Sequence, residues 1–197
     1  MSEVKTDKLS PRTASGTVTL GTSGDTFSIP SGVTLSNSGT ASGFGDEAQY
    51  FFARMTGSNQ SVSNNVATKV NINSEVLDNK SIFDTTNNKL VITAATAGIW
   101  KIGGQVQGFY GTNFYLQVVF ALLYKNGSSL GDAYDSMHDV GGPYGLENHG
   151  RSVSAIVSLA SGDYVELYGQ VANASSAVGN LITQRGTNFY GHRIKAA

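Results

Sequence analysis

Cysteine is absent from all 197 residues, so neither a disulfide framework nor a thiolate metal site is available. Charge is scarce as well: charged residues make up 14%, and 13 Lys and Arg against 14 Asp and Glu leave a formal net charge of -1. A balance so close to zero offers no electrostatic footprint for nucleic acid or an anionic membrane surface. No apolar run reaches the roughly 20 residues of a membrane-spanning helix, and the opening MSEVKTDKLSPR lacks the apolar centre of a signal peptide. The expectation is a chain made soluble inside a cell, without membrane insertion. Acids are missing between Asp84 and Asp132, which leaves little material for the paired carboxylates that glycoside cleavage holds about 5 to 9.5 Å apart. A non-enzyme is expected.

What is present is turn chemistry and β-formers. There are 24 Gly and long Ser, Thr and Asn tracts, the composition of an all-β protein with many turns. The longest apolar stretch, LQVVFALLYKNG from Leu116 to Gly127, is rich in β-branched and aromatic residues and stops at Asn126-Gly127, a strong hairpin signal. Alternation puts Leu116, Val118, Phe120, Leu122 and Tyr124 on one face and Gln117, Val119, Ala121 and Leu123 on the other. Both faces are apolar, so the strand needs cover on both. One cover is a facing sheet; the other is a loop, a terminal segment or a second subunit. Further strands are expected within 46–55, and at Val66–Ile72, Glu75–Leu77, Lys89–Thr93, Gly98–Gln107, Ser152–Leu159, Asp163–Val171 and Phe189–Ile194. No convincing helix interrupts them, and the pattern fits a double-sheet antiparallel jelly roll.

Composition divides the chain into residues 1–15, 16–46 and 47–197. The first part is polar apart from Val4 and Leu9, and Pro11 disfavours a helix across it. It is either a disordered tail or an anchor peptide that orders on docking. The second part offers apolar pairs, Val18 with Leu20, Phe27 with Ile29 and Val33 with Leu35, between Gly-rich turns. Burying one such residue yields about 1.5 to 3 kcal/mol, against roughly 1 to 2 kcal/mol of backbone entropy for every residue ordered. One copy cannot hold itself together; several wound about an axis could, as an extended β-rich shaft, and an unstructured linker is the alternative.

Within the third part, FDTTNNKLVITAATAGIWKIGGQVQG (83–108), VVFALLYKNGSSL, VSAIVSLASGDYVELYGQV (153–171) and NFYGHRI (188–194) follow one another in order. Together they resemble the C1q/TNF-like jelly roll over roughly residues 67–195. The resemblance implies a homotrimer with first and last strands side by side, and trimer contacts from Tyr50, Phe52, Trp100, Ile102, Phe189 and Tyr190. It also implies that 116–127 lies in the sheet away from the trimer axis, its second face covered by the aromatic segment near Tyr50 or by a loop of the same chain. Residues 10–45, above all TLGTSGDTFSIPSG, resemble the amino-terminal segments of tail-fibre and related structural proteins of marine bacteriophages. This implies a virion protein assembled in the host cytoplasm, docked through its N-terminal segment on other virion proteins, with the jelly-roll tip binding a host-cell surface glycan or protein. The other reading is a purely structural adaptor, connecting or capsid-decoration fibre.

Two groups of residues could carry binding chemistry. GFYGTNFY places Phe109, Tyr110, Asn113, Phe114 and Tyr115 around a turn, and Tyr134 and Tyr144 sit in the stretch expected to form a long loop, 132–150. Rings beside Asn and Gly suit a sugar, whose apolar face stacks while its hydroxyls meet amides; packing across a trimer interface or capping the sandwich end is the other role open to them. Asp132, Asp135, His138 and Asp139 crowd the same loop and offer oxygen ligands for Ca²⁺, though their spacing follows no EF-hand or zinc pattern. Ser136 beside His138 and Asp139 makes no triad, since neighbours in sequence rarely reach that geometry.

Overall fold

A computed structural model describes residues 17–34, 36, 48–110, 116–138, 148–173 and 180–197. For residues 110, 131–138, 180 and 181 the description is of the backbone alone. The chain divides into two units, Met1–Phe44 and Gly45–Ala197. In the first, Asp25 closes a turn by accepting the N–H and the hydroxyl of Thr22 at 2.7 and 3.1 Å, with Gly24 at φ +95°. A second turn brings the Val33 N–H to the Pro30 carbonyl, with Gly32 at φ +85°. Residues 17–34 form no strand, and Val18, Leu20, Phe27, Ile29 and Val33 are all exposed. In the single chain these apolar side chains lie in water.

The second unit is all strand, with no helix among the described residues. In chain order the strands are β1 (Tyr50–Arg54), β2 (Gln60–Ser61), β3 (Thr68–Lys69), β4 (Ser74–Asp78), β5 (Phe83–Asp84), β6 (Lys89–Val91), β7 (Gly98–Tyr110), β8 (Leu116–Lys125), β9 (Ser128–His138), β10 (Asn148–Leu159), β11 (Tyr164–Asn173), β12 (Asn180–Ile182) and β13 (Asn188–Ala196). One sheet runs β2-β12-β7-β13-β1-β4 with β10 also on β7; the other runs β5-β6-β11-β8-β9 with β3 on β11. First and last strands lie side by side, Phe52 opposite Tyr190.

Between the sheets lies one core. Phe51, Phe83 and Phe189 form an aromatic triad, Phe51 stacked on Phe83 at 5.3 Å and edge-on to Phe189 at 5.1 Å. Glycines let the layers meet: a Cβ on Gly104 would collide with Leu167, and one on Gly191 with the Phe51 ring. Trp100 is fully buried and donates its indole N–H to the Thr96 carbonyl at 2.9 Å. Trp100, Ile102 and Phe189, expected at a subunit contact, are 0% exposed within this core. Their positions alternate with the outward ones, so they serve the chain's own sandwich.

The β8 strand resolves its two apolar faces. Val119, Ala121 and Leu123 enter the core, while Phe120, Leu122 and Tyr124 remain half-buried on the outside of the second sheet. That outer face is covered in part by rings of its own sheet: Tyr124 stacks on Tyr168 at 3.9 Å. The segment near Tyr50 does not cover it, because β1 belongs to the other sheet.

At the far end of β8, two short sequence signals form one device. Asn126 and Gly127 turn the hairpin at φ +52° and +77°. Asp163 then accepts from Lys125 Nζ at 2.8 Å, from Asn126 Nδ2 at 2.8 Å and from the Ala160 N–H at 2.8 Å. These donors, Lys125 first, then Asn126 and Ala160, hold its carboxyl down at about 2.

Candidate functional site

The opposite end of the sandwich is built differently. β12 and β13 both pair with β7, β12 opposite 108–110 and β13 opposite 98–105. Between them the chain bulges away at Thr183–Thr187. Its footing is buried and fully bonded: the Thr183 N–H donates to the Gln107 carbonyl at 2.9 Å, and Thr187 Oγ1 accepts from the Gln107 N–H while donating to the Thr183 carbonyl at 2.6 Å. Gly186 makes the bend at φ +80°, where a Cβ would lie 2.5 Å from Gln107 Oε1. A bulge of this kind re-aims side chains out of the sheet. Here those side chains are Gln184 and Arg185, both exposed.

In front of the bulge lies a cleft of about 350 Å³, lined by Asn59, Phe109, Asn148, Thr183, Gln184 and Arg185. Register explains the gathering: Phe109 stands opposite Asn148 on β10 and opposite Leu181 on β12. The loop before β2 is tied in by the Gln184 N–H donating to Asn59 Oδ1 at 3.3 Å. Asn148 Oδ1 accepts from Gln107 Nε2 at 2.6 Å. Among the described residues, the lining thus combines one half-buried ring, amides, a hydroxyl and a guanidinium, with no carboxylate. It can bind, stack and donate hydrogen bonds. It holds neither a nucleophile with a base nor an acid pair.

Of the ligand candidates read from the sequence, Phe109 lines this cleft. Tyr110 ends β7 opposite Asn180, and Tyr134 lies on β9 opposite Leu122. Asn113, Phe114, Tyr115 and Tyr144 lie outside the described residues. Asp132, Asp135 and His138 were expected in a loop, but β9 continues through all of them, with Asp135 opposite Ala121 and His138 opposite Val118. As an edge strand β9 draws its stability from one ladder, and polar residues suit such an edge; the missing apolar alternation hid it. Asp139 lies outside the described residues, among which no group of three or more metal-ligating side chains gathers. Tyr50, Phe52 and Tyr190 are on the outer face of the first sheet, the Tyr190 ring resting on Gly103. Asn59, Asn148, Thr183, Gln184 and Arg185 carried no sequence motif. The one signal was TQRGT, a polar interruption between two strands of the same edge.

No family model matches the chain, and no curated relative matches it in sequence. Solved structures do match in shape. An Eiger TNF from S. frugiperda superposes at TM-score 0.54 and 12% identity, over 76% of this chain and 93% of that one. Murine APRIL superposes at TM-score 0.52 in its pH 8.0 structure (12% identity) and 0.51 at pH 5.0 (13% identity), over 75% of this chain and 100% of the solved APRIL chain. The fold is the C1q/TNF-like jelly roll.

Proposed function

We propose that this protein is a non-enzymatic homotrimeric fibre protein of a phage particle, docked by its N-terminal segment and recognising a host-cell surface glycan with its jelly roll. The observation that carries the assembly is the outer face of the first sheet. Register aligns Tyr50, His192, Lys101 and Ile156 across β1, β13, β7 and β10. Ile156 is 69% exposed, Leu77 55% and Ile194 51%. Exposed apolar side chains on this face, Tyr50 and Ile156 at the two ends of a row with His192 and Lys101 between them, support an interaction surface, which a like-folded partner would cover in the proposed trimer. The exposed stripe of 17–34 adds to this, since copies brought together would bury it. The virion setting rests on the likeness of residues 10–45 to phage fibre segments, and the recognition role on the cleft around Phe109.

Light scattering on the purified chain should give three times the mass of one chain, and Tyr190→Asp should give monomers. Purified trimer should compete with phage for adsorption to host cells. A trimer that neither binds cells nor competes would make the protein an adaptor or decoration fibre instead; a monomeric wild-type chain would remove the fibre reading.

A further inference from the structure

The hydrogen-bonding capacity left in the cleft is one-sided. Asn59 Oδ1 is engaged by the Gln184 N–H, and Asn148 Oδ1 by Gln107. Their Nδ2 groups remain as donors. Thr183 Oγ1 already accepts the Arg185 N–H at 3.2 Å. The Arg185 guanidinium has no ion pair or side-chain hydrogen bond among the described residues, and among those that line the cleft it is the one charge. An open cleft with spare donors, a cation unopposed among the described residues and one aromatic face is complementary to an acceptor-rich anion carrying an apolar ring face.

We infer that the cleft takes a carboxylate-bearing sugar, a uronic-acid type residue of a surface glycan. This rests on the glycan reading above and narrows it. The planar carboxylate matches the guanidinium fork, which can bind it through two parallel N–H donors. The C–H face of the pyranose lies on Phe109, and ring hydroxyls accept from Asn59 and Asn148. A cleft of about 350 Å³ is within the roughly 300–1,000 Å³ of small-ligand sites. Nucleic acid fits poorly, because a single Arg cannot follow a phosphate backbone and the chain carries a net charge of -1.

The test uses the full-length protein and three oligosaccharide probes of equal length: an oligogalacturonate, the neutral oligogalactose and a sulfated oligogalactose. Titration calorimetry should show the uronate bound about tenfold or more tightly than the neutral sugar, the worth of one charge-assisted hydrogen bond. Arg185→Gln should erase that preference and leave the weak neutral binding. Phe109→Ala should weaken uronate and neutral sugar alike. Equal affinity for neutral and uronate probes, or a sulfated probe bound as well as the uronate, overturns the carboxylate assignment while the glycan reading stands. Failure of every sugar probe, with the trimer intact, removes the glycan reading and this inference with it.

Discussion

The two ends of the jelly roll solve different problems with similar residues. At the closed end, Asp163 is satisfied by Lys125, Asn126 and the Ala160 N–H, so each nearby donor has a partner. At the cleft end, Asn59 and Asn148 spend their oxygens within the protein, and Arg185 is left without a counter-charge among the described residues. Full pairing locks a turn; partial pairing leaves chemistry for a ligand. The comparison therefore predicts that substitutions at the closed end act on stability and those at the cleft end on binding.

The largest effect belongs to the core beneath the closed end. Trp100→Ala leaves a large cavity and an unpartnered Thr96 carbonyl, and should lower unfolding free energy by about 3–5 kcal/mol in urea titration. A change in the mass of the assembly with unaltered subunit stability would instead return Trp100 to a subunit contact.

Asp163→Ala comes next, at about 2–3 kcal/mol, because charged hydrogen bonds are lost together. The pH profile gives its signature. The folded carboxyl sits at about 2, below the ordinary 3.8, so its contribution is complete above pH 4 and fades as pH falls toward 2. Thermal melts of Asp163→Asn should lack that acid-side loss; an unchanged slope would deny Asp163 its role as the lock.

Gly186→Ala strains the bulge at φ +80° and presses on Gln107, for about 1 kcal/mol and a displaced Arg185. Its melting point should fall slightly while uronate binding falls much further. Smallest in stability is Arg185→Gln, an exposed change expected to stay within about 0.5 kcal/mol in the same urea titration. A large destabilisation there would mean that the cleft end is locked like the other and the contrast is false.

Much of the fold was legible in the residues. The hairpin at Asn126-Gly127, the first strand near Tyr50 and the closing strand at Phe189 all follow from alternation and turn chemistry, and β8 runs over Leu116–Lys125 as expected. The candidate site was legible only through Phe109. Amides on β10, on the bulge and before β2 are far apart in the chain, and nothing local marks them as neighbours.

The sequence by itself determined an all-β chain with its main turns, because period-two alternation, Gly and Asn-Gly act within a few residues. The tertiary structure decided which apolar face of β8 goes inward, since Phe120 and Leu123 are equally fit for burial and only the facing sheet discriminates. It also decided that β9 is a strand, through a ladder supplied by β8, and that the chain leaves its ladder at Thr183–Thr187 to shape a cleft with donors to spare. Those outcomes depend on partners brought together from distant positions, which local propensity does not encode.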